Sequence, residues 1–348
     1  LLLSESEYNR LPAANWAVLR ANAPRQSILK SVETSVMLAC PPVGNQGSQG
    51  SCVAWAVGYS ATAILAYPKY GNWDQARRSP AYVYNQLKTS SDCSGGLFTT
   101  SALNLTKTQG VCSWEMMPYT STCSTLPNAN QKLDASLNNT TNWWTLATTN
   151  VDGIKEALQL GYPVVVAFNV YTTSFDRMWR EGGIWSTNDT SGTLRGGHAC
   201  CIVGYDDSRQ MFKVQNSWGT SGGDNGFFWV TYNLVRNRIF KECYVLQGMN
   251  PTALQVPKNV PNNGAATYTI VNLPTGTSVT WSVSNSNLRR MSSTSNSATF
   301  KWYGSGSCNV TAKLTKNGAT VSLKGRNVIT LPSLVSAPRL TGVGQPYN

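Results

Sequence analysis

The sequence predicts an α+β domain over residues 36–250, followed by a small all-β sandwich over residues 251–335. Three observations lead there. An uncharged run from Cys52 to Tyr67, with several capped segments before residue 161, carries the marks of helices. Runs of β-branched and aromatic residues after Pro163 carry the marks of strands. From Pro251 the helical patterns stop and short alternating segments replace them.

Residues 1–35 form an N-terminal arm, in which Ala13 to Ala23 has helical character ended by Pro24. The Cys52 run opens behind a Gly-rich loop, GNQGSQGS, and reads as a buried helix. It is too short, and too rich in Gly, Ser and Thr, for a membrane span, which takes about 20 apolar residues. Ser79 is an N-cap with Pro80 in the first helical position, leading into Tyr82–Leu87. Thr99 to Gln109 reads as a helix closed by Gly110. Residues 126–150 are polar and irregular apart from a strand over Asn138–Trp144. Asp152 to Leu160 is a short amphipathic helix, and Pro163 to Val170 a strand. Gly182-Gly183 turns into a strand at Ile184-Trp185, and Ala199 to Val203 is a short buried strand with His198 at its start.

Beyond Pro251 the strands are Thr267–Asn272, Ser278–Val283, Ala298–Tyr303, Asn309–Thr315, Ala319–Leu323 and Asn327–Leu331, with Trp281 and Trp302 as core residues. Residues 336–348 read as an extended tail.

A chain of 348 residues has room for two domains. The formal charge is +12, yet Lys and Arg are scattered, with Arg77-Arg78 and Arg289-Arg290 the densest pairs. No basic stripe interleaves with aromatics, so no nucleic-acid partner is expected. A positive protein still favours acidic surfaces. One histidine and no Cys-x-x-Cys pair offer no zinc set, so neither metal nor cofactor is expected.

Chemistry gathers in three blocks. Cys52 opens a helix, whose N-terminal partial charge favours the nucleophilic thiolate. Gln46 lies six residues upstream, in a loop able to bring an amide donor over the sulfur. The only base available to a thiol–imidazole mechanism is His198, in RGGHACCIVGYDD. In VQNSWG, Asn216 is placed to hold the other imidazole nitrogen and Trp218 to cover that bond from water.

These blocks resemble the papain family of cysteine peptidases: NQG followed by SC and an aromatic-containing helix, then GHACCIVGY, then QNSWG with GG and GFFWV after it. Their order is the family's order, and the resemblance spans roughly residues 30–248. It implies a two-lobed papain-like fold, a helical lobe and a β-rich lobe with the cleft between them. It also implies hydrolysis of peptide bonds in a peptide or protein substrate. Cys52 is then the nucleophile, His198 its base and acid, and Asn216 the residue orienting His198. Gln46 and the Cys52 backbone N–H become the oxyanion hole, and Trp218 the shield.

Cys93-Ser94-Gly95-Gly96 is similar to the family's cleft loop, which makes Gly95 and Gly96 substrate-binding candidates; an ordinary turn is the other reading. Gly196 and Gly197 fall where the family lines its second subsite, or serve only a tight turn. Met117-Pro118-Tyr119 resembles the family's Tyr-Pro-Tyr region. Family zymogens carry a pro-segment in the cleft; residues 1–35 are shorter and are read either as an arm packed on the domain or as a residual pro-segment.

Of nine cysteines, eight remain beside Cys52, open to 105 pairings. The family often bridges the loop before the nucleophile to the Cys-x-Gly-Gly cysteine, but that loop position here is Gln49. Cys112 with Cys123 is the expected bridge. Cys200 and Cys201 point to opposite faces of a strand and are expected as buried thiols. The last third resembles immunoglobulin-like modules appended to secreted bacterial proteins. A secreted or cell-surface location follows; the apolar opening LLL is too short for a signal segment, which is absent from this chain. Two other functions keep the same fold: an inactive papain-fold binding or adhesion protein, and a thiol-dependent transpeptidase.

Overall fold

A computed structural model of the chain describes residues 1–24, 33–249, 252–257, 263–303 and 306–329. It divides into two compact units, Leu1–Thr252 and Ala253–Asn348.

The first half of the first unit is mainly helical. It holds α1 (Glu5–Tyr8), α2 (Trp16–Ala21), a short strand β1 (Ser35–Met37), and a π-helix (Ala54–Ala61) that continues into α3 (Thr62–Tyr70). Then come α4 (Trp73–Ala76), α5 (Pro80–Leu87), α6 (Thr99–Thr108) and α7 (Ala129–Ser136). The second half is mainly sheet: β2 (Thr140–Thr145), α8 (Val151–Gln159), β3 (Val164–Tyr171), α9 (Phe175–Arg180), β4 (Ile184–Trp185) and β5 (Leu194–Asp206). β6 (Met211–Gln215), β7 (Phe227–Thr231), α10 (Tyr232–Arg236) and β8 (Phe240–Met249) complete it. The strands lie in the order β2-β8-β3-β5-β6-β7-β4, with β1 beside β5. This α+β arrangement is the expected one.

Local chemistry explains most boundaries. Ser79 accepts the Tyr82 N–H with Pro80 behind it, so α5 starts where a cap and a preset φ coincide. Gly110, at φ +77°, turns the chain after α6, and a Cβ there would sit 1.9 Å from the Ala135 carbonyl oxygen. The π-helix is apolar all round, and all eight of its residues are buried.

Some expectations need correction. The central helix runs past Tyr67 and through Pro68 to Tyr70. The arm helix is shorter than expected, because Asn15 caps it at Trp16 and Ala13 bridges Thr145 instead. α7 lies inside a segment read as irregular; its polar composition hides a buried face at Leu133 and Ala135, although Asn128 and Gln131 form a capping box. His198 sits inside the thirteen-residue β5 rather than at a strand start. The preceding Leu194–Gly197 has no apolar run, and only pairing with β3 (Asn169 opposite Gly197) holds it extended. The disulfide joins Cys93 to Cys123, whose Cα atoms are 5.9 Å apart. Cys112 is instead a fully buried thiol in the helical core. Cys200 and Cys201 are free and buried.

The second unit has seven strands among its described residues: β9 (Ala253–Gln255), β10 (Ala265–Val271), β11 (Ser278–Val283), β12 (Leu288–Ser293), β13 (Ser297–Trp302), β14 (Gly306–Lys316) and β15 (Ala319–Ile329). One sheet runs β12-β13-β10-β9 and the other β11-β14-β15. Their inner faces meet where Trp281 packs edge-on to Phe300, with Tyr268 and Trp302 fully buried beside them.

Two expected strands, Ala319–Leu323 and the one beginning at Asn327, are a single strand. Gly325 between them is a point of close approach, where a Cβ would lie 2.4 Å from Val256 Cγ2. β12 gave no signal because only Leu288 of its six residues is buried. The expected tail lies outside the described residues.

Candidate active site

The nucleophile block is held from three sides. Cys52 is the first residue of the helical run that becomes the π-helix, and it is 9% exposed. The loop before it pairs with the Asn216 segment: Gln46 N–H donates to the Ser217 carbonyl (2.8 Å), and Gly219 N–H to the Gly44 carbonyl (2.9 Å). The Tyr119 hydroxyl lies 2.6 Å from Ser51 Oγ and 2.9 Å from both the Gln46 carbonyl and Gln49 Oε1. Gln49 Nε2 in turn donates to the Thr120 carbonyl (2.8 Å). Side-chain hydrogen bonds from Gln49 therefore fasten the loop where a bridge was ruled out. Cys93 still meets it, accepting the Gly50 N–H at 2.9 Å.

His198 projects from β5 into an aromatic box. Trp218 lies against it with ring centroids 4.7 Å apart at 33°, and Phe168 and Phe175 each stand 5.7 Å away. Its Nε2 is 2.8 Å from Asn216 Oδ1. That oxygen also accepts the Ser217 backbone N–H at 2.8 Å. A backbone N–H can only donate, so the amide orientation is fixed and Nε2 carries the proton. The remaining ring nitrogen is left for Cys52, which lines the same cavity and whose thiol His198 acts on electrostatically.

The electrostatics follow from this geometry. Burial alone pushes the Cys52 thiol up, but the hydrogen bond and charge of His198 more than offset it, and the thiol titrates below its ordinary value. Burial disfavours charge on His198, yet the sulfurs of Cys200 and Cys52 outweigh that and raise it well above the usual imidazole value. The two shifts favour a thiolate–imidazolium pair.

Cys200, two residues along the same face of β5, donates its S–H to Asn216 Oδ1 at 3.4 Å. Burial pushes its thiol up, and the neighbouring His198 charge pulls it back down. Sequence reading treated Cys200 only as a buried thiol; strand alternation from His198 was the signal that placed it here.

A cavity of about 650 Å³ opens over the pair, lined among others by Gln46, Cys52, Gly96, Gly197, His198 and Trp218. Gln46 Nε2 donates to the Gln49 carbonyl (2.8 Å) and its Oε1 accepts from Ser217 Oγ (2.7 Å). Gly95 stands apart from this wall, packed against Ser90 and Thr89, where a Cβ would meet Thr89 Oγ1 at 2.4 Å. The arm enters the cavity. Leu1 N donates to the Leu97 carbonyl (3.0 Å), a Cβ on Gly96 would lie 3.1 Å from that nitrogen, and one on Gly197 would lie 3.1 Å from Leu2 Cγ. The buried Glu242 carboxylate accepts the Leu3 N–H at 2.6 Å, and the Tyr8 hydroxyl lies 2.8 Å from the Leu146 carbonyl and 2.6 Å from that of Cys243. Among the described residues, no group of three His, Cys, Asp or Glu side chains forms a metal site.

The model of the papain family cysteine proteases matches residues 30–248. The chain belongs to that family. Papain-family relatives include an uncharacterized peptidase C1-like protein, L477, of Acanthamoeba polyphaga mimivirus. It is 26% identical over 245 residues, covering 63% of this chain and 78% of that protein. Cathepsin B-like CP3 of Giardia intestinalis is 32% identical over 211 residues, 54% of this chain and 63% of that protein. The chain thus spans less than two thirds of the cathepsin B-like relative. Among solved structures, xylellain, a cysteine protease from Xylella fastidiosa, superposes with a TM-score of 0.57 at 25% identity, over 70% of this chain and 93% of that one. The papain-like fold is therefore shared beyond the sequence blocks, and the additional β sheets of the second unit lie outside the matched region.

Proposed function

We propose that the chain hydrolyses peptide bonds with Cys52 as nucleophile and His198 as proton carrier. The observation that carries this reading is the His198 ring, held by Asn216 Oδ1 and lining one cavity with Cys52, whose thiol it pulls below the ordinary value. The Cys52 thiolate attacks the substrate carbonyl carbon, forming a C–S bond. The oxyanion is met by the Cys52 backbone N–H and the second amide N–H of Gln46, whose first is held by Gln49. As the C–N bond breaks, His198 gives its proton to the leaving amine. It then takes a proton from water, which attacks the thioester and releases the acid. Asn216 keeps the imidazole in one tautomer, and Trp218 excludes water from the His198–Asn216 bond.

Gly96 and Gly197 keep the walls free for a substrate backbone. Residues 1–12 act as an inhibitory arm, because Leu1 and Leu2 lie in the space a peptide would use. The second unit is an immunoglobulin-like module. Support comes from its strand order: the first, second, fourth and fifth strands share one sheet and the third, sixth and seventh the other, as in constant-type domains. The Cys93–Cys123 disulfide supports an oxidising, extracytoplasmic workplace.

Treatment with a thiol-directed epoxide, read by peptide mass spectrometry, tests the chemistry. The expected outcome is a single adduct on Cys52 together with lost peptidase activity, and faster labelling in Leu2→Arg. Labelling elsewhere with full inactivation refutes the assignment of Cys52. A product assay with added amines separates hydrolysis from transpeptidation.

A further inference from the structure

The two units differ sharply in charge. All 16 Asp and Glu residues lie in Leu1–Thr252, whereas the second unit contains none and holds nine of the 28 Lys and Arg residues. It therefore carries +9 of the formal +12. With no side-chain carboxylate in the unit, its cations cannot pair among themselves.

Their placement is specific. On one sheet, Arg289 of β12 and Lys301 of β13 are direct cross-strand partners, and both lie over the Tyr303 ring, at 4.8 and 5.3 Å. Like charges directly opposite destabilise a ladder, so this pair is held at a cost to the fold. On the other sheet, Lys313 of β14 and Lys324 of β15 stand exposed, with Ser322 and Thr311 directly opposite them. Hydroxyls fill the space between cations on both faces; Thr267 and Thr299 bond to each other at 2.9 Å beside the Arg289–Lys301 pair.

We propose that the second unit is a docking module for an acidic polysaccharide. A flat bilayer reaches only one sheet face and leaves the other cation pair unused. Duplex nucleic acid presents a charge about every 1.7 Å and calls for a dense basic stripe, which the described residues of neither face form. A uronate polymer carries one carboxylate per sugar with hydroxyls between, and is flexible enough to touch both faces. Its charges match cation pairs set apart on the two sheets, and its hydroxyls match the Ser and Thr lining.

The test is the affinity of the full chain for polygalacturonate in 50 and 200 mM salt. Three double variants are compared: Arg289→Gln with Lys301→Gln, Lys313→Gln with Lys324→Gln, and Lys107→Gln with Lys132→Gln. The last removes equal charge from exposed positions of the first unit. Each second-unit variant is expected to bind about fivefold more weakly and with a shallower salt slope. The first-unit variant stays within about twofold, and hydrolysis of a short peptide is unchanged in all three. Arg289→Lys with Lys301→Arg, which keeps the charge, retains binding and guards against a folding artefact. Equal weakening by the Lys107/Lys132 variant reduces the effect to net charge and overturns the proposal. So does tighter binding to duplex DNA or to phosphatidylglycerol vesicles at the same salt.

Discussion

In the first unit, blocks that are distant in sequence meet around one cleft: the loop at Gln46, the helix at Cys52, the strand at His198 and the turn at Asn216. In the second unit strands pair within two sheets, the core is filled by alternation, and charge replaces chemistry. The contrast separates two kinds of information. Catalysis needs a few groups fixed by long-range contacts, while a docking surface needs only an outward-facing composition on a stable sandwich.

Each of the following substitutions breaks or sharpens that contrast. Cys52→Ala is expected to lower peptide hydrolysis by about 10⁴-fold or more while leaving thermal unfolding intact. Retained turnover would move the chemistry away from the convergence point. Trp302→Ala, in the sandwich core, should cost about 3–5 kcal/mol of second-unit stability in calorimetry. Hydrolysis of a short peptide should not change, and a parallel fall would show that the units depend on each other.

Gln46→Glu keeps the shape but removes the amide donor, and kcat/KM should fall about 10²-fold or more, mostly in kcat. A rise in KM alone would make Gln46 a binding residue. Cys200→Val removes one of three donors to Asn216 Oδ1, and kcat should fall only severalfold.

The pH profile sharpens this last case. Because Cys52 titrates below its ordinary value and His198 above its own, the ion pair forms above the first and is lost as pH rises through the second. In Cys200→Val the alkaline limb should move down, since Cys200 helps hold His198 protonated. An unmoved limb would leave Cys200 a packing residue.

Much of the first unit was legible because its blocks combine unusual residue types in a fixed order: a lone histidine, a cysteine behind a Gly-rich loop, an asparagine before a tryptophan. Caps at Ser79 and Gly110 marked helices for the same local reason. Less legible were features set by neighbours. Cys112 is the partner expected for Cys123, and only the meeting of the 93 loop with the 123 segment gives the bond to Cys93 instead. Tyr119 looked like part of a recurring tripeptide, and only packing shows its hydroxyl binding three groups of the nucleophile loop. β12 is an exposed edge strand with almost no buried face to announce it.

By itself, the sequence determined which groups are available to react, the α+β order of the first unit, and the alternation of the second, because these depend on residue type and short-range periodicity. Tertiary structure decided which thiols lie about His198, which oxygen holds its ring, which cysteines bond, and that the arm's leucines lie in the cleft. Those outcomes depend on distances between segments far apart in the chain, and no local pattern encodes a distance.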